Sequence, residues 1–197
     1  SKRSDNNMKL NVYCLAGRAK DEFYPFYSTY KSLINVEEIE AVELANSDAS
    51  YKFQLLNMRR EIMEKSDFLV VAGGKCEGYA GFLPGILEEV LCAFYIDLPV
   101  YIYSSYGGVS DVIYRFLIGC EESRGKLTDY FSSVLASPDV KCSSEMMNLY
   151  SDMVDKFLSV NISYVSHICS LASSEYSKMS CSRISDVNVA YMLKGAK

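Results

Sequence analysis

The sequence predicts an α/β fold: a Rossmann-like parallel sheet followed by a helical C-terminal appendage. Three observations carry that prediction. Residues 68–72 (FLVVA) form a short apolar run that breaks at Gly73-Gly74-Lys75, and residues 100–103 (VYIY) form a second run that ends before Gly107-Gly108. Between them, Pro84-Gly85 opens a stretch with helical spacing. Strand, glycine loop, helix and strand in that order make a βαβ unit, whose loop end is where open parallel sheets take their ligands. After Cys120 the composition turns to serine, tyrosine, methionine and lysine, with no strand alternation and no glycine loop. That change marks the helical appendage.

Each element follows from local pattern. Residues 1–9 are polar and read as a disordered lead-in. Residues 10–16 (LNVYCLA) are rich in strand formers and stop at Gly17-Arg18, as a buried strand does. Residues 21–35 hold five aromatics interrupted by Pro25, which predicts a loop and then a helix from about Tyr27. Residues 37–45 (EEIEAVELA) fit an alternating strand or a turn and a half of helix, and the pattern alone leaves both open. In residues 50–65, Phe53, Leu55, Leu56, Met58, Ile62 and Met63 recur near helical spacing, with Arg59 and Arg60 at the edge of that face.

Beyond the second strand, residues 110–118 read as a helix with Ser110 as N-cap and Asp111 in the first turn. Two further helices are expected at 128–135 and 144–158, and a short last one at 187–193. The resulting organisation is a lead-in at 1–9, a ligand-binding domain at 10–119, and a tail at 120–197 that packs on the core or on a partner.

Composition narrows the function. The chain has 197 residues, 49% hydrophobic and 23% charged, with net charge −5. Such a balance gives no support for gripping nucleic acid by charge alone. No run approaches the roughly 18 apolar residues of a membrane span, and the polar start lacks the apolar segment of a signal peptide. A cytoplasmic protein is expected. The seven cysteines are scattered without a CxxC pair, which fits thiols in a reducing compartment rather than zinc or dithiol chemistry. His167 is the single histidine and lies in the serine-rich tail, so neither a metal site nor a histidine-based triad is indicated. No cofactor is called for.

The central unit carries the chemistry. Gly73-Gly74 at a strand end lets backbone approach a ligand closely. Lys75 sets a cation beside that approach, as a phosphate site requires. Gly78 and Gly81 keep the next loop free of bulk, and Pro84 suits the first helical turn. The amides that follow Gly85 then face the same crevice, where the helix dipole favours an anion by roughly 0.3–1 kcal/mol. Glu88 and Glu89 complement that dipole in the bland reading. In the functional one, a carboxylate accepts hydrogen bonds from a ribose diol. Of two adjacent residues only one faces the crevice, and the other is solvated. Arg59 and Arg60 divide in the same way, one towards phosphate and one towards solvent or Glu89.

These residues resemble the SLOG superfamily, which includes the cytokinin-activating LOG phosphoribohydrolases and bacterial sensors of nucleotide ligands. LOG enzymes carry an MxxRK helix, a strand and then PGGxGTxxE; here MRREIMEKSDFLVV is followed by PGILEE. The pattern is nearer to SLOG domains beside TIR or sirtuin-like modules in Thoeris-type bacterial defence: MRR, an apolar strand with GGK, GYxGxxPGIxEE, and a strand ending in GG. Tyr103-Ser104-Ser105-Tyr106-Gly107-Gly108 replaces the usual LGGFGG. The likeness spans residues 55–118. It implies that Arg59, Lys75 and Glu89 contact a cyclic ADP-ribose-like signal; the residues themselves add Gly73, Gly74, Gly85, Gly107 and Gly108 as ligand-binding positions.

Two departures qualify the resemblance. The PGGxGT phosphate nest is missing, since Ile86 follows Pro84-Gly85 directly. Full SLOG domains also carry an N-terminal half with its own glycine loop, so the chain reads as a minimal version or as the C-terminal piece of a longer one. The favoured function is a sensor of an NAD-derived nucleotide, ADP-ribose or a cyclic isomer. It would regulate a linked or partner effector in antiviral defence, as a homo-oligomer or beside an effector domain. The alternative is a nucleotide N-glycosidase, a LOG-type phosphoribohydrolase or nucleoside transferase, in which Glu89 and Arg59 are catalytic and Glu89 stabilises an oxocarbenium.

Overall fold

The computed structural model describes residues 10–15, 34–39, 47–160 and 190–191. The chain divides into two compact units, residues 1–58 and 59–197. In the first, β1 (Leu10–Leu15) pairs in parallel with β2 (Ile34–Ile39), Leu10 opposite Ile34 and Leu15 opposite Ile39. Residues 37–39 are therefore strand, which resolves for them the ambiguity left by the pattern, and residues 34–35, the end of the stretch expected to turn helical, are strand as well because they pair with β1. Cys14, Leu15 and Ile39 are buried. The lead-in, residues 27–33 of the helix expected from Tyr27, and His167 lie outside the described residues.

Helix α1 (Ser47–Glu64) runs across the division between the units. Its buried residues include Leu56, Arg59 and Met63, a spacing of three and four that puts an arginine on the apolar stripe. The helix ends with the Ser66 hydroxyl donating to the Ile62 carbonyl (2.7 Å).

The second unit is built on the expected βαβ. β3 (Leu69–Ala72) and β4 (Val100–Tyr103) are parallel, Leu69 opposite Val100 and Ala72 opposite Tyr103. Leu69, Val71, Val100 and Ile102 point into the core, while Val70 is exposed and Tyr101 half-buried. The period of two is thus visible in both strands. The crossover helix α2 (Gly85–Tyr95) is buried on almost every side: Leu87, Val90, Leu91, Cys92, Ala93 and Phe94. A helix that is apolar all round needs neighbours all round, and α2 has β3 and β4, α3 (Gly108–Leu117) and α6 (Ser144–Leu158). It ends in a Schellman turn: Leu98 donates to Ala93 (2.9 Å) and Asp97 to Phe94 (3.2 Å), with Asp97 left-handed at φ 59°. Pro99 then prevents continuation.

Three expectations change here. The helix after Gly108 starts at Gly108 with Gly107 as its cap, and the Ser110 hydroxyl faces the carbonyls of Tyr103 (3.1 Å) and Gly107 (2.9 Å) instead of capping. The helix expected at 128–135 is α4 (Glu121–Ala136), because Glu121 and Glu122 suit a first turn and Gly125 does not stop it. Within the stretch expected as a helix at 187–193 there is a strand, β5 (Ala190–Tyr191), antiparallel to β4. Pairing with the edge of β4 outweighs a weak local propensity there.

A short helix α5 (Pro138–Lys141) leads from α4 into α6. Phe157 of α6 is the meeting point of three helices. Its ring stands 5.2 Å from Phe94 of α2, 5.2 Å from Phe116 of α3 and 6.0 Å from Phe131 of α4. Along the rest of α6, Tyr150 meets Glu88, Met153 meets Cys92, and Lys156 reaches the Tyr95 carbonyl and the Asp97 carboxylate. The partner numbers rise together, so α6 runs in the same direction as α2 and spans its whole length.

The glycine pairs at the two strand ends meet each other. A Cβ on Gly108 would collide with the Gly74 carbonyl oxygen and lie 2.9 Å from the Gly73 carbonyl carbon. The carbonyls of Gly73 and Gly74 accept the amides of Ser110 (2.9 Å) and Val109 (3.2 Å), which would otherwise be unpaired at the start of α3. Gly108→Ala is expected to lower stability by at least about 2 kcal/mol, from a left-handed φ of 64° and from the collision. Gly125→Ala, in the exposed middle of α4 with open space around it, should instead add about 0.5–1 kcal/mol. Urea unfolding of the two variants checks both signs.

Candidate functional site

Four segments of the second unit meet around one guanidinium. The end of α1 supplies Arg59, the loop after β3 supplies Gly81 and Leu83, the start of α2 supplies Gly85, Glu88 and Glu89, and α6 supplies Tyr150. Arg59 is 8% exposed and Glu88 has no exposed surface. The Arg59 Nη1 group donates to Glu88 Oε2, and the Tyr150 hydroxyl donates to Glu88 Oε1 at 2.6 Å. Arg59 Nε stands 3.7 Å from Glu89 Oε1, beyond hydrogen-bond length, and is a buried donor with no hydrogen-bond partner among the described residues.

The glycines of this loop now have a physical reason. A Cβ at Gly85 would lie 2.9 Å from Arg59 Nη2, and one at Gly81 would lie 3.1 Å from Nη1 and 3.4 Å from Glu88 Oε2. Any side chain there would press on the ion pair. The loop is also held from the C-terminal helices. The Tyr130 hydroxyl of α4 donates to the Cys76 carbonyl (2.8 Å), Tyr79 and Tyr130 meet edge to face, and Phe82 meets Tyr150 the same way at 6.0 Å.

Electrostatics follow burial. Loss of water raises the Glu88 carboxyl above the usual range, against the pull of Arg59 and the hydrogen bonds from Tyr150, Arg59 and the Leu83 backbone. Glu89 is raised as well, first by desolvation, with Arg59 opposing and Glu88 adding. Burial, with Glu88 adding, pushes the Cys92 thiol up to about 12, so it is an inert core thiol. Tyr130 is likewise pushed up to about 12 by burial and by Cys76.

The expected site residues fall into two groups. Arg59, Gly85 and Glu89 come together, joined by Glu88. Gly73, Gly74, Gly107 and Gly108 form the backbone crossing already described, with Gly73 near the Tyr106 backbone. The groups adjoin through Ile86, whose side chain lies where a Gly74 Cβ would be (2.6 Å). Lys75 is exposed, with no hydrogen bond or ion pair among the described residues. Glu88 and Glu89 do not divide into one facing inward and one solvated. Glu88 is buried on Arg59, and the Glu89 side chain is 32% exposed beside it.

Sequence reasoning missed Tyr150 and the full burial of Glu88. A signal existed: Tyr150, Met153 and Phe157 share one helical stripe, and a phenol buried on such a stripe needs an acceptor. Elsewhere a cleft of about 530 Å³ is lined by Ser104, Ser105, Asp111, Tyr114, Arg115, Ile118 and Cys120, and it contains none of the expected residues. Among the described residues no group of histidine, cysteine and acidic side chains could hold a metal ion, and no helix is long and apolar enough to cross a membrane.

A protein-family model described as SLOG cluster2 matches residues 15–182, most of the chain. No curated protein and no solved structure matches the chain.

Removing one partner of a buried ion pair leaves an uncompensated charge. Arg59→Leu is therefore expected to cost about 3–5 kcal/mol in urea unfolding. The raised Glu88 carboxyl also makes stability depend on pH. A carboxyl with a higher value in the folded state contributes stability that is fully present below the ordinary carboxylate range and is lost as pH rises through its folded value. Glu88→Gln removes that titration. Melting temperatures measured from pH 4 to 8 should fall more steeply with rising pH in the wild type than in the variant.

Proposed function

The chain belongs to the SLOG family, and we propose that it is a sensor domain for an NAD-derived nucleotide, ADP-ribose or a cyclic isomer, held at the start of α2. The observation that carries this reading is the buried Arg59 Nε, which makes no hydrogen bond and only a 3.7 Å ion-pair contact with the one-third-exposed carboxylate of Glu89. A buried donor left in that state costs roughly 1–3 kcal/mol, and a ligand oxygen arriving there recovers it. Glu89 keeps solvent-facing surface and offers acceptors to a ribose diol. Glu88 is wholly engaged and does not touch ligand.

The division of charge sets where the anion goes. Glu88 neutralises Arg59, so the guanidinium contributes directional donors more than net charge. Lys75, exposed next to the glycine crossing, offers its cation to the diphosphate, and the first-turn amides of α2 add their dipole. Within this proposal β3–α2–β4 is the Rossmann-like centre, and the helices after Gly119 extend it and carry occupancy to an effector. That effector is a linked domain or a second subunit in antiviral defence. A sensor works by binding two arrangements with different affinity, and such a difference needs no bond cleavage.

The test is binding set against turnover. With ADP-ribose, cyclic ADP-ribose or NAD at about 100 times Kd, stabilisation of about 2.7 kcal/mol is expected as a rise in Tm. Chromatography should show no free base. Glu89→Gln and Lys75→Ala should each weaken binding about tenfold or more, with Lys75→Ala leaving Tm without ligand unchanged. Release of base that Glu89→Gln abolishes would make the protein an N-glycoside hydrolase instead. An unchanged Tm with every nucleotide, in folded protein, would overturn the sensor.

A further inference from the structure

Both oxygens of Glu88 are engaged, one by Arg59 of α1 and the other by Tyr150 of α6. A carboxylate with a single donor turns readily about its last torsion, whose profile is broad. Donors on both oxygens fix its plane, and the guanidinium that meets it is fixed in turn. Tyr150 is fully buried, and burial together with Glu88 holds its phenol far above the ordinary tyrosine range, so it stays a donor. The same ring touches Phe82 of the ligand loop. Further along α6, Met153, Lys156 and Phe157 repeat the attachment to α2.

We propose that Tyr150 is a positioning residue of the ligand site. Its hydroxyl sets the plane of Glu88, and Glu88 sets the Arg59 guanidinium, so the Tyr150–Glu88 hydrogen bond is coupled to how Arg59 meets its ligand. The coupling is reciprocal, as linkage requires: occupancy at Arg59 strengthens that hydrogen bond, and its loss weakens binding. The binding half of this inference rests on the nucleotide reading above, whereas the positioning half concerns the protein without ligand.

The test separates position from packing. Tyr150→Phe removes the hydroxyl and keeps the ring, while Phe157→Leu loosens α6 at the aromatic hub without touching Glu88. In protein labelled with ¹⁵N-arginine, the Arg59 Nε resonance is assigned by its loss in Arg59→Lys. It should move in Tyr150→Phe and stay in Phe157→Leu. Calorimetry with ADP-ribose should show Kd raised at least tenfold by Tyr150→Phe and within twofold of wild type for Phe157→Leu, even where the latter loses more Tm. Replacement of Tyr150 by p-aminophenylalanine, which keeps a donor, should restore the resonance, and it replaces Tyr150→Phe as the probe if that variant does not fold. An Arg59 resonance unmoved in Tyr150→Phe, or equal weakening by both variants, overturns the positioning role. If wild type binds no ADP-ribose, the nucleotide reading falls by itself and the resonance alone decides the role of Tyr150.

Discussion

The second unit depends on one buried charge pair. Arg59 and Glu88 come from helices separated by a strand and a glycine loop, and each would be costly to bury alone. A buried pair is a poor source of net stability, because the cost of stripping water from both groups cancels much of their attraction. Its effect is geometric. Arg59 can leave water only where Glu88 meets it, so the end of α1 and the start of α2 have one way of lying together. Tyr150 makes the same demand of α6. Three helices are thus set by a carboxylate that has no exposed surface.

The glycines divide between two purposes that look alike in sequence. Gly81 and Gly85 make room for a guanidinium, whereas Gly74 and Gly108 make room for a side chain and for backbone. The crossing of Gly108 over Gly73-Gly74 closes the ends of both strands and satisfies the first amides of α3. Helix α2 therefore differs from α3. The start of α3 is taken up by carbonyls from the neighbouring strand end, while the start of α2 lies beside an arginine with a donor to spare. On the proposed function, that asymmetry is the reason to place the ligand at α2 and not midway between the two helices.

The sequence disclosed what depends on short-range pattern. The apolar runs at 68–72 and 100–103, the proline opening α2 and the stripe at 144–158 each report a local period, and parallel pairing follows from the connecting helix. Arg59 and Glu89 were legible through the resemblance, and Glu88 only as an ambiguous neighbour. What remained hidden depends on contacts distant in sequence. Tyr150 lies 62 residues from Glu88, and nothing near it says that a carboxylate waits across the interface. The strand at Ala190–Tyr191 exists because β4 offers an edge, so local propensity had no means of announcing it. Ser110 looked like a cap because serine often is one, yet the left-handed Gly107 had already taken that position.

The same contrast bears on the proposed sensor, which would be built from few charges. A residue that meets a ligand must keep exposed surface or an unsatisfied hydrogen-bonding group. Lys75 and Glu89 meet that condition through exposure, and Arg59 through its buried Nε without a hydrogen bond. Glu88 and Tyr150 do not, and their role is to hold Arg59 at one angle, so that little ordering remains when ligand arrives. The pairing has a further consequence for selectivity. With Arg59 neutralised inside, what the start of α2 offers an anion is its first-turn amides rather than net positive charge. On the proposed reading the ligand is a sugar joined to a diphosphate, whose hydroxyls meet Glu89, whose acceptor meets Arg59 Nε and whose phosphates meet Lys75.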